Sequence, residues 1–177
     1  GVYDDAYAKA VEIQKNEGRT FIHPFNDEDV IAGQGTIGLE ILKQLPDADA
    51  VIVPIGGGGL ISGIASAVKA INPNCKVYGV QAAGAPSMKE SLDAGKIITL
   101  DNVSTIADGI AVKTPGTRTF DICSQYVDEV VTVTEDEIAV AILTLIEKQK
   151  TVSEGAGATT VAAAMFNKVD VKGKKVV

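Results

Sequence analysis

Four consecutive glycines, Gly56-Gly57-Gly58-Gly59, lie between Val51-Ile52-Val53-Pro54-Ile55 and Leu60-Ile61-Ser62-Gly63. The β-branched run in front has the composition of a strand buried on both faces. The alanine-containing apolar run through Val68 reads as a helix. A strand, a turn without side chains and a helix N-terminus make an anion cradle. Without Cβ atoms several backbone N–H groups can converge on one oxyanion, and the helix dipole adds roughly half a positive charge. The chemistry predicted at Gly56–Gly59 and the Leu60 amide is phosphate binding; the alternative is a tight turn and nothing more.

Three kinds of phosphate loop can be compared with these letters. A Walker loop needs Gly-Lys-Ser/Thr at the helix start, the lysine for the terminal phosphates and the hydroxyl for magnesium. Leu60-Ile61 stands there instead, which excludes nucleoside triphosphate hydrolysis. A dinucleotide fingerprint needs G-x-G-x-x-G and an acid at the end of the next strand. Counted from Gly57, its third glycine falls on Ser62, and the next strand ends in Gln81. A cup of backbone amides with no lysine or arginine suits a compact phosphate monoester, as on a phosphorylated cofactor held by one end.

Few other residue clusters could do chemistry. Cys75 and Cys123 are far apart and His23 is the single histidine, too few ligands in the wrong spacing for zinc. The cysteines read as buried free thiols in a reducing cytosol, so a cytoplasmic location is expected. A net charge of −7 offers no basic stripe for nucleic acid. Ala50 to Val68 carries no charge and is long enough to span a membrane. Pro54 and the glycines in its middle would break such a helix, so strand, loop and helix are expected and no membrane partner. No signal peptide is legible at Gly1-Val2-Tyr3-Asp4-Asp5.

The elements that must position the loop follow from periodicity and punctuation. A helix over residues 4–17, capped by Asp4 and stopped by Gly18, precedes a short strand Thr20-Phe21-Ile22 that Pro24 ends. A second helix is expected from about Asp27 to Leu45, with Ile37, Ile41 and Leu45 on one face. Gly33, Gly35 and Gly38 interrupt it at roughly 0.5–1 kcal/mol each, a cost that close packing on a sheet or a ligand would explain. Strands are expected over 76–81 and 127–133, with helices over 87–94 and 118–125. Thr134 and Glu137 form a capping box for a helix to Lys150 with Ile138, Ile142, Leu145 and Ile146 buried. Residues 98–118 are irregular, 151–157 turn, 156–165 pack closely, and 172–177 enter a last strand. With 177 residues there is one core. Alternating strands and helices make the fold class α/β, a doubly wound, mostly parallel sheet with helices on both faces and ligands at the strands' C-terminal ends.

Val53-Pro54-Ile55-Gly56-Gly57-Gly58-Gly59-Leu60-Ile61-Ser62-Gly63 resembles the cofactor phosphate loop of the fold type II (tryptophan synthase β-like) pyridoxal-phosphate enzymes. With His23-Pro24-Phe25, Val30-Ile31-Ala32-Gly33-Gln34-Gly35-Thr36, Thr105-Ile106-Ala107-Asp108-Gly109-Ile110-Ala111-Val112 and Glu154-Gly155-Ala156-Gly157-Ala158, it is similar to the threonine/serine dehydratases, most like the catabolic threonine ammonia-lyases. The resemblance runs along nearly the whole chain. It implies pyridoxal 5'-phosphate as cofactor, an amino-acid substrate, a homo-oligomeric intact enzyme, and release of a 2-oxo acid with ammonia. Gly56, Gly57, Gly58, Gly59 and Leu60 would hold the phosphate, Gly109 would lie along the ring, and Glu154 would approach the ring edge or cap the next helix.

The resemblance also implies what this sequence lacks. The family's cofactor lysine belongs to a Ser-Phe-Lys-x-Arg-Gly motif, and neither Arg19 nor Arg118 has that motif upstream. Its Ser-Ser-Gly-Asn and Ser-Gly-Gly-Asn segments are absent as well. Residues 1–177 therefore read as part of a catalytic domain, without its lysine-bearing front and its last strand, and inactive alone. Related racemases place metal-binding carboxylates where Gln81 and Ser87 stand, which argues against a metal here and for a dehydratase over a racemase. Serine racemisation, another reaction of the superfamily and a noncatalytic phosphate-binding module remain the alternatives.

Overall fold

The computed structural model describes residues 3–177. The cap expected at Asp4 lies outside the side chains described. Helices α1 (Tyr3–Glu17) and α2 (Glu28–Gln44) lead to strand β1 (Ala50–Pro54), helix α3 (Gly59–Ile71), strand β2 (Lys76–Ala82) and helix α4 (Ser87–Ala94). After a single 3-10 turn at Asp108–Ile110 come α5 (Thr117–Tyr126), β3 (Glu129–Val133), α6 (Glu135–Thr144, continued by a π-helical turn Leu145–Gln149) and α7 (Gly155–Met165). The strands lie in the order β1-β2-β3, all parallel. Val177 extends the sheet beyond β1, donating to the Ala50 carbonyl at 3.0 Å and accepting from Ile52 at 2.8 Å.

Strand alternation divides the apolar side chains between two faces. Val51, Val53, Val77 and Val130 pack with Ile61, Ile64 and Val68 of α3, Met88 and Cys123. Tyr78, Val80, Ala82, Val131 and Val133 pack on the opposite face with Ile138 and Ala141 of α6 and the alanines of α7. The chain is thus an α/β protein with helices on both faces of a parallel sheet, and every strand ends at the same edge. The apolar stretch 50–68 resolves into β1, the glycine loop and α3. Among the described residues no helix is long and apolar enough to cross a membrane.

Three expectations need correcting. Thr20-Phe21-Ile22 is irregular chain, not a strand. No strand of the described residues runs beside it, and ring packing orders it instead, Phe21 lying 5.6 Å from Tyr7 and 6.1 Å from His23 between centroids. Helix α2 buries Ile31, Gly35, Gly38 and Leu42, while Ile37 is exposed. Its glycine face meets α3, not the sheet or a ligand. A Cβ on Gly35 would fall 3.2 Å from the Gly63 carbonyl oxygen, and one on Gly38 would fall 3.0 Å from Ala67 Cβ. Small residues bring the two helix backbones together and turn Ile37 outward, while Ile41 and Leu45 of the expected face stay partly buried against the core. Ile146 is likewise exposed, and Ala141 takes its place in the core.

Candidate cofactor site

The glycine loop opens at the C-terminal end of β1. Gly58 caps α3 with φ 98° and no side-chain cap, in the left-handed region that glycine tolerates. The first rung of the helix is Ser62 N–H to the Gly58 carbonyl at 3.0 Å. The N–H groups of Gly59, Leu60 and Ile61 precede the helical ladder, as the first turn of any helix requires. The first turn also carries no acidic side chain, so its dipole is uncompensated and suits an anion.

The glycines are required by what lies behind them. A Cβ on Gly57 would sit 2.4 Å from Phe25 Cγ, one on Gly59 2.8 Å from Phe25 Cα, and one on Gly58 2.7 Å from both Met88 Cε and Thr119 Cβ. Gly56 would meet Ile110 Cα at 3.1 Å. Close packing therefore accounts for the absence of side chains. The row of N–H donors and the cavity they border are the independent signs of a ligand.

That cavity has a volume of about 430 Å³ and is lined by Pro24, Phe25, Pro54, Gly56–Gly59, Leu60, Gly109, Ile110, Val112, Glu154 and Ala156. All seven residues singled out in the sequence thus border one space, of the size of a small-molecule site. Glu154 is the single ionisable side chain in the lining. Its Oε2 accepts from Ala156 N–H at 2.7 Å and its Oε1 from Gly157 N–H at 2.5 Å, capping α7. Capping does not remove it from the cavity: a Cβ on Gly109 would lie 3.7 Å from Glu154 Oε2 and 3.4 Å from Ala156 Cβ. Backbone donors, apolar walls and one carboxylate around the same cavity fit a phosphorylated aromatic cofactor. No lysine borders the cavity among the described residues.

Sequence reasoning missed Phe25 as a wall and Thr119 as a support. Thr119 is fully buried, and its Oγ1 donates to the Gly57 carbonyl at 2.6 Å while the Gly116 N–H reaches the same oxygen at 3.3 Å. A hydroxyl inside the short amphipathic helix α5 was the available signal, but nothing local says what it bonds. Gln81, buried at the end of β2, donates from Nε2 to the Ile55 carbonyl at 3.2 Å and accepts from Lys89 N–H at 2.8 Å. Its amide therefore ties the loop after β1 to the start of α4.

A parallel α/β sheet with an amide-lined cavity at the C-terminal edge of its strands defines a class of ligand-binding α/β folds. The family model described as "Pyridoxal-phosphate dependent enzyme" matches residues 1–177, and the chain belongs to that family. It is 57% identical over 175 residues to L-threonine ammonia-lyase of Thermotoga maritima, a match covering 99% of this chain and 43% of that protein. The processed form of threonine deaminase isoform 2 from Solanum lycopersicum superposes with a TM-score of 0.93 at 42% identity, over 99% of this chain and 49% of that one. Maize serine racemase superposes with a TM-score of 0.91 at 37% identity, over 99% and 54%. The chain therefore spans about half the length of the relatives it matches.

Proposed function

We propose that this chain forms the phosphate-gripping part of the pyridoxal-phosphate site of a threonine (or serine) ammonia-lyase, which removes the β-hydroxyl and yields 2-oxobutanoate (or pyruvate) and ammonia. The observation that carries the reading is the meeting of the Gly57–Leu60 donor row with Gly109 and Glu154 around one cavity. The cofactor, when bound, supplies an electron sink for the carbon that loses its proton. The chain's own residues do the holding. Amides of the glycine loop and Leu60 bind the phosphate, with the α3 dipole adding to their field. Ile110 and the uncrowded face of Gly109 receive the ring, Glu154 stands at the ring edge, and Pro54, Val112 and Ala156 keep water away. Residues 1–177 hold neither the cofactor-lysine motif nor the substrate-carboxylate loop that the resemblance implies, so this reading needs both to be supplied from outside them.

A catabolic role and a homo-oligomeric enzyme are further parts of this reading and rest on the motif resemblance, while a cytoplasmic location rests on the free thiols Cys75 and Cys123. Serine racemisation is the runner-up because the maize enzyme shares the fold so closely. Against it stands Gln81, where a metal-binding racemase would need a carboxylate. The test is titration of the full-length protein with pyridoxal phosphate, followed by product analysis with L-threonine and L-serine. Cofactor absorbance with 2-oxobutanoate or pyruvate supports the lyase. Predominant D-serine would replace it with the racemase, and absence of cofactor binding would overturn both.

A further inference from the structure

We propose that His23 is a positioning residue for the phosphate loop: its unprotonated Nδ1 closes the turn 23–26 and so holds Phe25 against Gly57 and Gly59. The proposal rests on the assignment of that loop to the cofactor phosphate.

The geometry runs outward from the imidazole. Nδ1 accepts from the backbone N–H of Asn26 at 3.0 Å and from that of Phe25 at 3.3 Å. Two donors aimed at one ring nitrogen require its lone pair, which places the ring proton on Nε2. The ring also meets Phe25 edge-on, with centroids 4.5 Å apart. Tyr7 of α1 and Phe21 stand at 5.5 and 6.1 Å on its other sides. Asp27, at the start of α2, is the charged neighbour that acts on it. Burial lowers the pKa of His23 and the Asp27 charge opposes that shift, so the neutral form is favoured.

The turn so closed makes the front support of the loop. Phe25 fills the space that side chains on Gly57 and Gly59 would need. The next residue, Asn26, accepts from Arg118 N–H at 2.9 Å and donates to Thr117 Oγ1 at 3.2 Å, fastening the turn to the start of α5. From that helix Thr119 holds the Gly57 carbonyl. His23 thus acts through Phe25 and Asn26 on both sides of the loop without bordering the cavity itself. The motif His23-Pro24-Phe25 acquires a physical role, as Pro24 fixes the backbone between acceptor and ring.

The test compares His23→Asn, whose side-chain oxygen can accept the same N–H groups in an Asx turn, with His23→Leu, which cannot. In the full-length apo-protein, hydrogen exchange is followed at Ser62 and Gly116, whose amides donate to the loop carbonyls of Gly58 and Gly57. His23→Leu is expected to lose protection there by about tenfold, and His23→Asn to keep it, the size following from one or two net hydrogen bonds. Pyridoxal-phosphate affinity should fall in the same order. Equal protection at Ser62 and Gly116 in all three proteins would overturn the proposal. Failure of the wild type to bind the cofactor would instead overturn the assignment of the loop, leaving the exchange result to decide the role of His23. Should His23→Leu not fold, long-range proton–nitrogen spectra of wild type decide: an Nε2–H tautomer supports the proposal, and a proton on Nδ1 refutes it.

Discussion

Thr119 and Gly57 lie 62 residues apart in sequence and are joined by a 2.6 Å hydrogen bond from the threonine hydroxyl to the glycine carbonyl. The same side chain stands 2.7 Å from where a Cβ on Gly58 would be. One buried residue of α5 therefore both bonds the loop and excludes any side chain from it. Replacing Thr119 by valine keeps the shape and removes the donor, leaving the Gly57 carbonyl with only the longer bond from Gly116. A loss of about 1–2 kcal/mol is expected in denaturant unfolding, together with weaker pyridoxal-phosphate binding. Thr119→Ser, which keeps the hydroxyl, should recover most of the affinity.

Gly109 separates the proposed ring position from packing. Its nearest neighbours would lie at 3.4 Å or beyond from an added Cβ, an ordinary contact that the protein can accept. Gly109→Ala should therefore melt within about 2 °C of wild type, as expected for a change below about 0.5 kcal/mol. If the cofactor ring lies along this residue, affinity should nonetheless drop several-fold in a titration of the full-length protein. Unchanged affinity would remove Gly109 from the site.

The helix pair α2–α3 gives two alanine substitutions of opposite sign. On Gly63 a Cβ would fall 2.3 Å from the Ile31 carbonyl oxygen and 2.5 Å from Gly35 N, both rigid backbone. Gly63→Ala should destabilise by about 3 kcal/mol, as severe overpacking does. Gly33 lies in the same α2 and meets nothing within 4 Å. Gly33→Ala should stabilise by roughly 0.5–1 kcal/mol through helix propensity alone. Chemical denaturation of the two variants checks both signs.

What was legible in the sequence follows the range of the interactions involved. β1, the glycine loop and α3 are marked by residues adjacent in the chain. The end of α4 is marked by Gly95, which adopts φ 65°, and the start of α6 by the Thr134–Glu137 capping box. Those features rest on bonds spanning three or four residues. The failures rest on partners far away in sequence. Ile37 has the periodicity of a core residue, but the approach of Gly63 chooses the glycine face of α2. Thr20-Phe21-Ile22 has strand composition, but a strand also needs a neighbour. The candidate site divides in the same way, its glycines and Glu154 standing in local motifs and Thr119 being visible only once α5 is packed.

Burial raises the pKa of both thiols. That of Cys123 is pushed up to about 12, the Ser62 hydroxyl at 3.8 Å opposing only weakly, and that of Cys75 is raised despite nearby Lys69. Each side chain is 1% exposed. Thiolate chemistry needs both ionisation and access, so iodoacetamide at pH 8 should leave both residues unmodified in the native protein. Peptide mapping should find both alkylated once the protein is unfolded in guanidinium.

Asp128 links the start of β3 to the start of β2. Its carboxylate accepts from Lys69 Nζ at 2.6 Å, Lys76 Nζ at 2.7 Å and Val77 N–H at 2.8 Å. Burial pushes its pKa up, but these three bonds and the Lys69 charge together outweigh burial and hold it below the ordinary carboxylate value. A folded-state pKa depressed in this way contributes stability above the unfolded value of about 4. That contribution is lost as pH falls through the lower folded value. Asp128→Asn should therefore cost about 1–2 kcal/mol at pH 7, a figure reduced from the fully buried case because the carboxylate is partly solvated. The difference between wild type and variant should shrink steadily below about pH 4, where the unfolded carboxylate is protonated. Urea unfolding of both proteins from pH 7 to pH 3 measures this convergence, and a constant difference across that range would show that the ion pairs add nothing beyond the hydrogen bond to Val77.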